Sequence, residues 1–195
     1  MAKLIALDVA ILPPPDVSAR AIELSAALTG EESPALRLDA EHLPHITLSQ
    51  LFVREEEIDV AFEHVDEVVQ GLAPRRIIST GAGMEGHTVW IRIELTPELT
   101  SLHERLMEAL RGFERPEGTP AAFFEHDARL ADVLWVSGYR LKSSFGAFTP
   151  HITLGHGSEA PVVEPFGFDA TAIAACHLGR FCTCRRVLRG WSLRR

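Results

Sequence analysis

The chain has 195 residues, a formal net charge of −8, and 46% hydrophobic against 24% charged residues. That balance belongs to an ordinary folded protein and excludes long disorder, and the length suits one domain, taken as 1–195, or two small lobes sharing a core. No apolar run approaches the ~18 residues that span a bilayer, and an acidic total argues against a grip on long duplex nucleic acid, which needs a basic surface.

In chain order, Leu4 to Leu12 reads as a strand stopped by Pro13, Pro14 and Pro15. Lys3 ahead of this stretch superficially copies a signal peptide, but Asp8 interrupts it and no small-residue cleavage pattern follows. A helix comes next, with Asp16 as its N-cap and Val17, Ala21, Leu24 and Leu28 at helical spacing before Gly30. Gly30 to Asp39 is polar and turn-rich, a loop. Pro44 to Val53 is a second strand. A second helix runs from about Glu55 to Gln70, with Ile58, Phe62, Val65 and Val69 on one face and Gly71 and Pro74 at its end. Arg76 to Thr80 and Val89 to Leu95 read as strands around a glycine-rich turn, Gly81 to Gly86. In the latter, Val89, Ile91, Ile93 and Leu95 alternate with Trp90, Arg92 and Glu94, the pattern of a half-buried strand.

Thr96 and Pro97 make a cap and first-turn proline for a helix whose stripe is Leu99, Leu102, Leu106 and Leu110, closed by Gly112. Phe113 to Thr149, broken by Pro116, Gly118 and Pro120, gives no clear periodicity. Pro150 to Gly155 is another strand, and the remainder from about Phe168 reads as two or three strands with a turn at Gly179. Short connections and Gly/Pro punctuation suit hairpins better than crossovers, so the expectation is an α+β protein with antiparallel sheets.

The decisive feature is a repeat. Pro44-His45-Ile46-Thr47-Leu48 returns as Pro150-His151-Ile152-Thr153-Leu154. On a strand, successive side chains point to opposite faces, so His and Thr share one face while Ile and Leu anchor the other in a core. Two such strands facing each other would bring two imidazoles and two hydroxyls into one cleft. One neutral imidazole can take a proton from water and one imidazolium can give a proton to a leaving alkoxide. The Thr47 and Thr153 hydroxyls can bind non-bridging phosphate oxygens. The set matches phosphodiester cleavage, with His45 and His151 as an acid–base pair.

On these residues the chain resembles the two-histidine (2H) phosphoesterase superfamily, whose signature is a pair of His-x-Thr/Ser-hydrophobic motifs. The resemblance runs over nearly the whole chain in the order of elements. It implies a bilobal, pseudo-twofold α+β fold with two antiparallel sheets, helices packed outside and a central cleft. It further implies metal-free hydrolysis of 2′,3′-cyclic phosphates on small nucleotides or RNA 3′ ends, with no cofactor. An RNA 2′-5′ ligase and a non-catalytic nucleotide-binding module are the alternatives. The 106-residue separation of the two histidines is long for the family, and 113–149 is the candidate extra length, a lid or specificity element.

Other residues are weighed beside the motifs. Trp90, Trp135, Tyr139, Phe145 and Phe148 could stack a base, with Tyr139 preferred and Trp90 and Phe148 next. Arg92 and Lys142 could touch phosphate. His64 and His103 are expected at helix surfaces. Strict alternation puts His156 opposite His151 unless Gly155 breaks it. Cys176, Cys182 and Cys184 form no disulfide framework, which points to a reducing cytoplasm; with His177 they match no standard zinc spacing and are read as buried small hydrophobes. The arginines after Asp169 (180, 185, 186, 189, 194 and 195) read as a solvated strand edge and tail rather than a basic face.

Overall fold

A computed structural model describes residues 2–30 and 35–193. Part of the expected loop from Gly30, and the final two arginines, lie outside the described residues. Among the described residues, eight strands form two four-stranded antiparallel sheets. The first holds β1 (Leu4–Leu12), β2 (Ile46–Arg54), β7 (Ala172–Leu178) and β8 (Cys184–Ser192) in the order β2-β1-β7-β8. The second holds β3 (Arg75–Glu85), β4 (Thr88–Ile93), β5 (His151–His156) and β6 (Phe166–Ala170) in the order β5-β4-β3-β6. Each repeated motif thus opens an edge strand, β2 in one sheet and β5 in the other, and these two edges contact each other.

One hydrophobic core is common to both sheets. Ile5, Leu7, Val9 and Ile11 of β1 join Ile46 and Leu48 of the first motif, Val89, Ile91 and Ile93 of β4, and Ile152 and Leu154 of the second. Three helices cover this face: α1 (Pro15–Ala26) against β5, α3 (Pro97–Leu110) against β2, and α2 (Ile58–Val69) against α3 and β8. The period-2 pattern therefore turns the motif histidines and threonines to the opposite, inner face.

Three expectations are corrected. Helix α1 begins earlier, with Pro14 as N-cap and Pro15 at the first turn, so Asp16 lies inside the first turn rather than capping it. The stretch expected as a turn, Gly81 to Gly86, is mostly strand: Gly81, Ala82 and Gly83 pair with Arg92, Ile91 and Trp90. Glycine serves close approach there, because a Cβ on Gly83 would lie 2.6 Å from Trp90 Nε1 and 2.8 Å from Arg92 Nε. And the unread segment 113–149 contains a fourth helix, α4 (Leu130–Lys142). Val133 and Val136 of α4, with Phe123, pack on Ala6, Ala10, Phe52, Ala174 and Cys176, the inner face of the first sheet. That segment thus builds a second, smaller core that covers part of one inner wall. No described helix is long and apolar enough to cross a membrane.

Candidate active site

Both motif histidines are held alike. His45 Nδ1 lies 2.8 Å from the carbonyl of Leu43, and His151 Nδ1 lies 2.8 Å from the carbonyl of Thr149. A carbonyl only accepts, so each Nδ1 carries a proton and each Nε2 is left to take or give one on the inner side. The same two-residues-back contact in both lobes fixes tautomer and ring orientation together.

The strands are also bent alike. In the β1–β2 pairing the register jumps so that Leu48 is left out, and in the β4–β5 pairing Leu154 is left out. Each bulge falls on the last residue of its motif. A bulge leaves its extra residue out of the ladder, so a carbonyl there needs another donor. His103 Nδ1, from α3, donates to Leu48 O at 2.7 Å, and Ser25 Oγ, from α1, donates to Leu154 O at 2.5 Å. Both side chains are fully buried. His103 was expected at the surface; helical periodicity alone did not show that α3 turns it onto β2. Its Nε2 also accepts from the Phe145 N–H at 2.8 Å, and its ring stacks on Phe148 with 3.9 Å between centroids. It therefore ties the first motif to the turn that leads into the second.

The bulge in β2 has a second effect. Thr47 and Gln50 are three apart, an odd spacing that would separate their faces on a regular strand. With Leu48 left out, both reach Asp8 Oδ2, at 2.8 Å each, while Gln50 Oε1 accepts from Trp135 Nε1 at 3.0 Å. Asp8 is fully buried and stands 3.8 Å from His45 Nε2. Burial pushes its carboxyl pKa up, and the charge of His45 and the Gln50 and Thr47 hydrogen bonds pull against that. Its charge state sets the role of Thr47. An ionised Asp8 takes the Thr47 proton, whereas a protonated Asp8 donates to Thr47 and frees that hydroxyl to donate elsewhere. Asp8 and Gln50 were missed as site residues, although a lone acid inside the apolar run Leu4 to Leu12 was the signal: a carboxylate buried in a strand needs partners.

The second lobe differs in sign. Trp90 pairs with Thr153 and Arg92 with His151 across β4 and β5, so all four share the inner face. The Trp90 and His151 rings lie 5.8 Å apart. Arg92 is exposed and has no ion pair among the described residues. Burial lowers the His151 pKa, and the charge of His45 lowers it further, which brings the two rings into one electrostatic neighbourhood. His45 thus has an acid beside it, and His151 an arginine.

The remaining candidates separate. Tyr139, on the buried face of α4, and Phe148, stacked on His103, are each 4% exposed, so they are corrected to core residues. His156 does come onto the inner face, because the Leu154 bulge flips the alternation; its ring meets Phe181 edge-on at 5.0 Å. Arg189 is exposed and ion-paired to Asp66, as a solvated edge would be, but Arg185 is corrected: its side chain is buried and ion-paired to Glu41 and Glu125. Cys176 and Cys184 are buried and free, and Cys182 is half-buried and free. One donor of Cys184 lies within 4.8 Å of donors on Asp8 and His45, a grouping that could hold a metal ion only by taking the same His45 Nε2 that acid–base chemistry needs.

Two matched histidine–threonine strands facing each other from two antiparallel sheets define the class of two-histidine phosphoesterase folds. The chain belongs to the 2′-5′ RNA ligase superfamily, whose family model matches residues 13–173. In fold it is similar to E. coli LigT, solved with 3′-AMP, at 20% identity and a TM-score of 0.65 over 99% of this chain and 100% of that one. It is also similar to TT0787 of Thermus thermophilus, at 21% identity and a TM-score of 0.63 over 97% and 98%. No curated protein matches its sequence.

Proposed function

We propose that the protein is a metal-independent phosphodiesterase that hydrolyses 2′,3′-cyclic phosphates on nucleotides or RNA 3′ ends. The observation that carries this reading is the pair of Nε2 atoms, each left for proton transfer by an identical Nδ1–carbonyl bond on adjoining edge strands. His151 is the base. Its pKa is lowered by burial and by the charge of His45, so it stays neutral and takes a proton from water. The resulting hydroxide attacks phosphorus. His45, with Asp8 at 3.8 Å, is the acid that gives its proton to the departing ribose oxygen. Thr153 and Arg92 bind non-bridging oxygens, joined by Thr47 when Asp8 holds its own proton. E. coli LigT has been solved with 3′-AMP, ATP and NADP+, which supports a nucleotide as the ligand class here.

The test is the pH dependence of kcat/KM on 2′,3′-cyclic AMP. A bell is expected, because one imidazole must be neutral and one charged. Its acidic limb should lie below pH ~6.5, the ordinary histidine value, because the His151 pKa is lowered. A rate flat from pH 5 to 8 would remove the acid–base assignment.

A further inference from the structure

Resting on that reading, we propose that Trp135 is the platform on which the base of a nucleotide substrate stacks, on the His45 side of the phosphate. The indole is 47% exposed although its N–H is bonded to Gln50 Oε1 at 3.0 Å. A tryptophan on a helix surface usually either buries its ring or leaves its N–H to water. This one has its polar edge satisfied by the protein and its ring open, a pre-oriented apolar face that loses little freedom when a ligand covers it.

Its position is set by the same network. Gln50 Nε2 donates to Asp8 Oδ2 at 2.8 Å and lies 3.5 Å from Thr47 Oγ1. One amide group therefore separates the indole N–H from the hydroxyl of the first motif, a spacing suited to a base and a phosphate joined by one ribose. Trp90 in the other lobe is placed differently: its ring stands against His151 and its Nε1 lies over Gly83, at the phosphate rather than the base. Stacking uses the π-face that every base has, so the platform should give affinity with weak base preference.

The test is binding of 2′-AMP and, separately, of inorganic phosphate, by calorimetry, to wild type, Trp135→Ala and Trp135→Phe, with thermal melts confirming that each variant is folded. Trp135→Ala should weaken 2′-AMP by roughly 5- to 150-fold, the worth of one base–aromatic stack, and leave phosphate unchanged. Trp135→Phe should recover most of the loss. With 2′,3′-cyclic AMP as substrate, Trp135→Ala should raise KM and leave kcat within a few-fold. A folded Trp135→Ala that binds 2′-AMP as wild type does, or wild type that binds 2′-AMP no tighter than phosphate, would overturn the platform and leave the phosphoesterase reading standing. Wild type that binds neither probe would overturn both.

Discussion

Replacing His103 with leucine tests how the two motifs are joined. The imidazole donates to Leu48 O at 2.7 Å, accepts from Phe145 N–H at 2.8 Å and stacks on Phe148. Leucine fills similar space and makes neither hydrogen bond. Leu48 O is then left buried without a donor, at about 1–3 kcal/mol, and the partly buried Phe145 N–H adds roughly 1 kcal/mol. The sum, about 2–4 kcal/mol, is a large part of a normal folding free energy of ~5–15 kcal/mol. In a domain of this size it should lower Tm by roughly 10 °C, at about 2–4 °C per kcal/mol, read by circular dichroism. The pH dependence gives a second readout. The pKa of His103 is lowered by burial, so the folded state prefers the neutral ring. Its stabilising contribution is complete above the unfolded value near 6.5 and is lost as pH falls below it, at up to ~1.4 kcal/mol per pH unit. The pKa values of His151 and His177 are lowered by burial as well, so wild type should lose stability below pH ~6.5 and His103→Leu should lose it less steeply. A Tm change under about 3 °C with an unaltered acid limb would refute this role for His103.

Ser25→Ala should act on the second motif as His103→Leu does on the first, by removing a donor to Leu154 O and an acceptor for Leu38 N–H; a Tm loss of about 5 °C is expected in the same melts. Asp8→Asn should stabilise the fold increasingly as pH rises above ~4. The Asp8 pKa is raised by burial, so the wild-type carboxyl favours folding below its unfolded pKa and that contribution is lost as pH rises. The same variant should turn over more slowly, because His45 loses its neighbouring acid, and urea melts and initial rates across pH check both halves. Arg92→Met should raise KM for 2′,3′-cyclic AMP by about 10-fold or more, the scale of one charge-assisted hydrogen bond, with little change in Tm.

The sequence made the skeleton legible where pattern and site coincide. The duplicated Pro-His-Ile-Thr-Leu gave both motif strands, and alternation alone turned the histidines and threonines away from the isoleucines and leucines, as found. Antiparallel pairing was expected from short, Gly- and Pro-marked connections, which join β3 to β4 and β7 to β8, whereas the other neighbours pair across long connections. What stayed hidden depended on register. A bulge at Leu48 or Leu154 leaves no mark in composition, yet it decides that Gln50 joins Thr47 at Asp8 and that His156 joins the face of His151. Helix α4 was obscured because its outer face carries Leu130, Leu134 and Leu141 while Asp132 is buried, which inverts the usual amphipathic signal. His103 was misjudged because a histidine among leucines reads as polar surface until a backbone carbonyl is known to need it.

The most direct measurement is turnover of 2′,3′-cyclic AMP in EDTA by wild type, His45→Ala and His151→Ala, with melts to show that each is folded. Wild type should be active without metal, and each variant should lose at least ~100-fold in kcat, the low end of what a positioned acid or base contributes. An inert wild type, activity abolished by EDTA, or a folded variant within a few-fold of wild type would contradict the two-histidine mechanism.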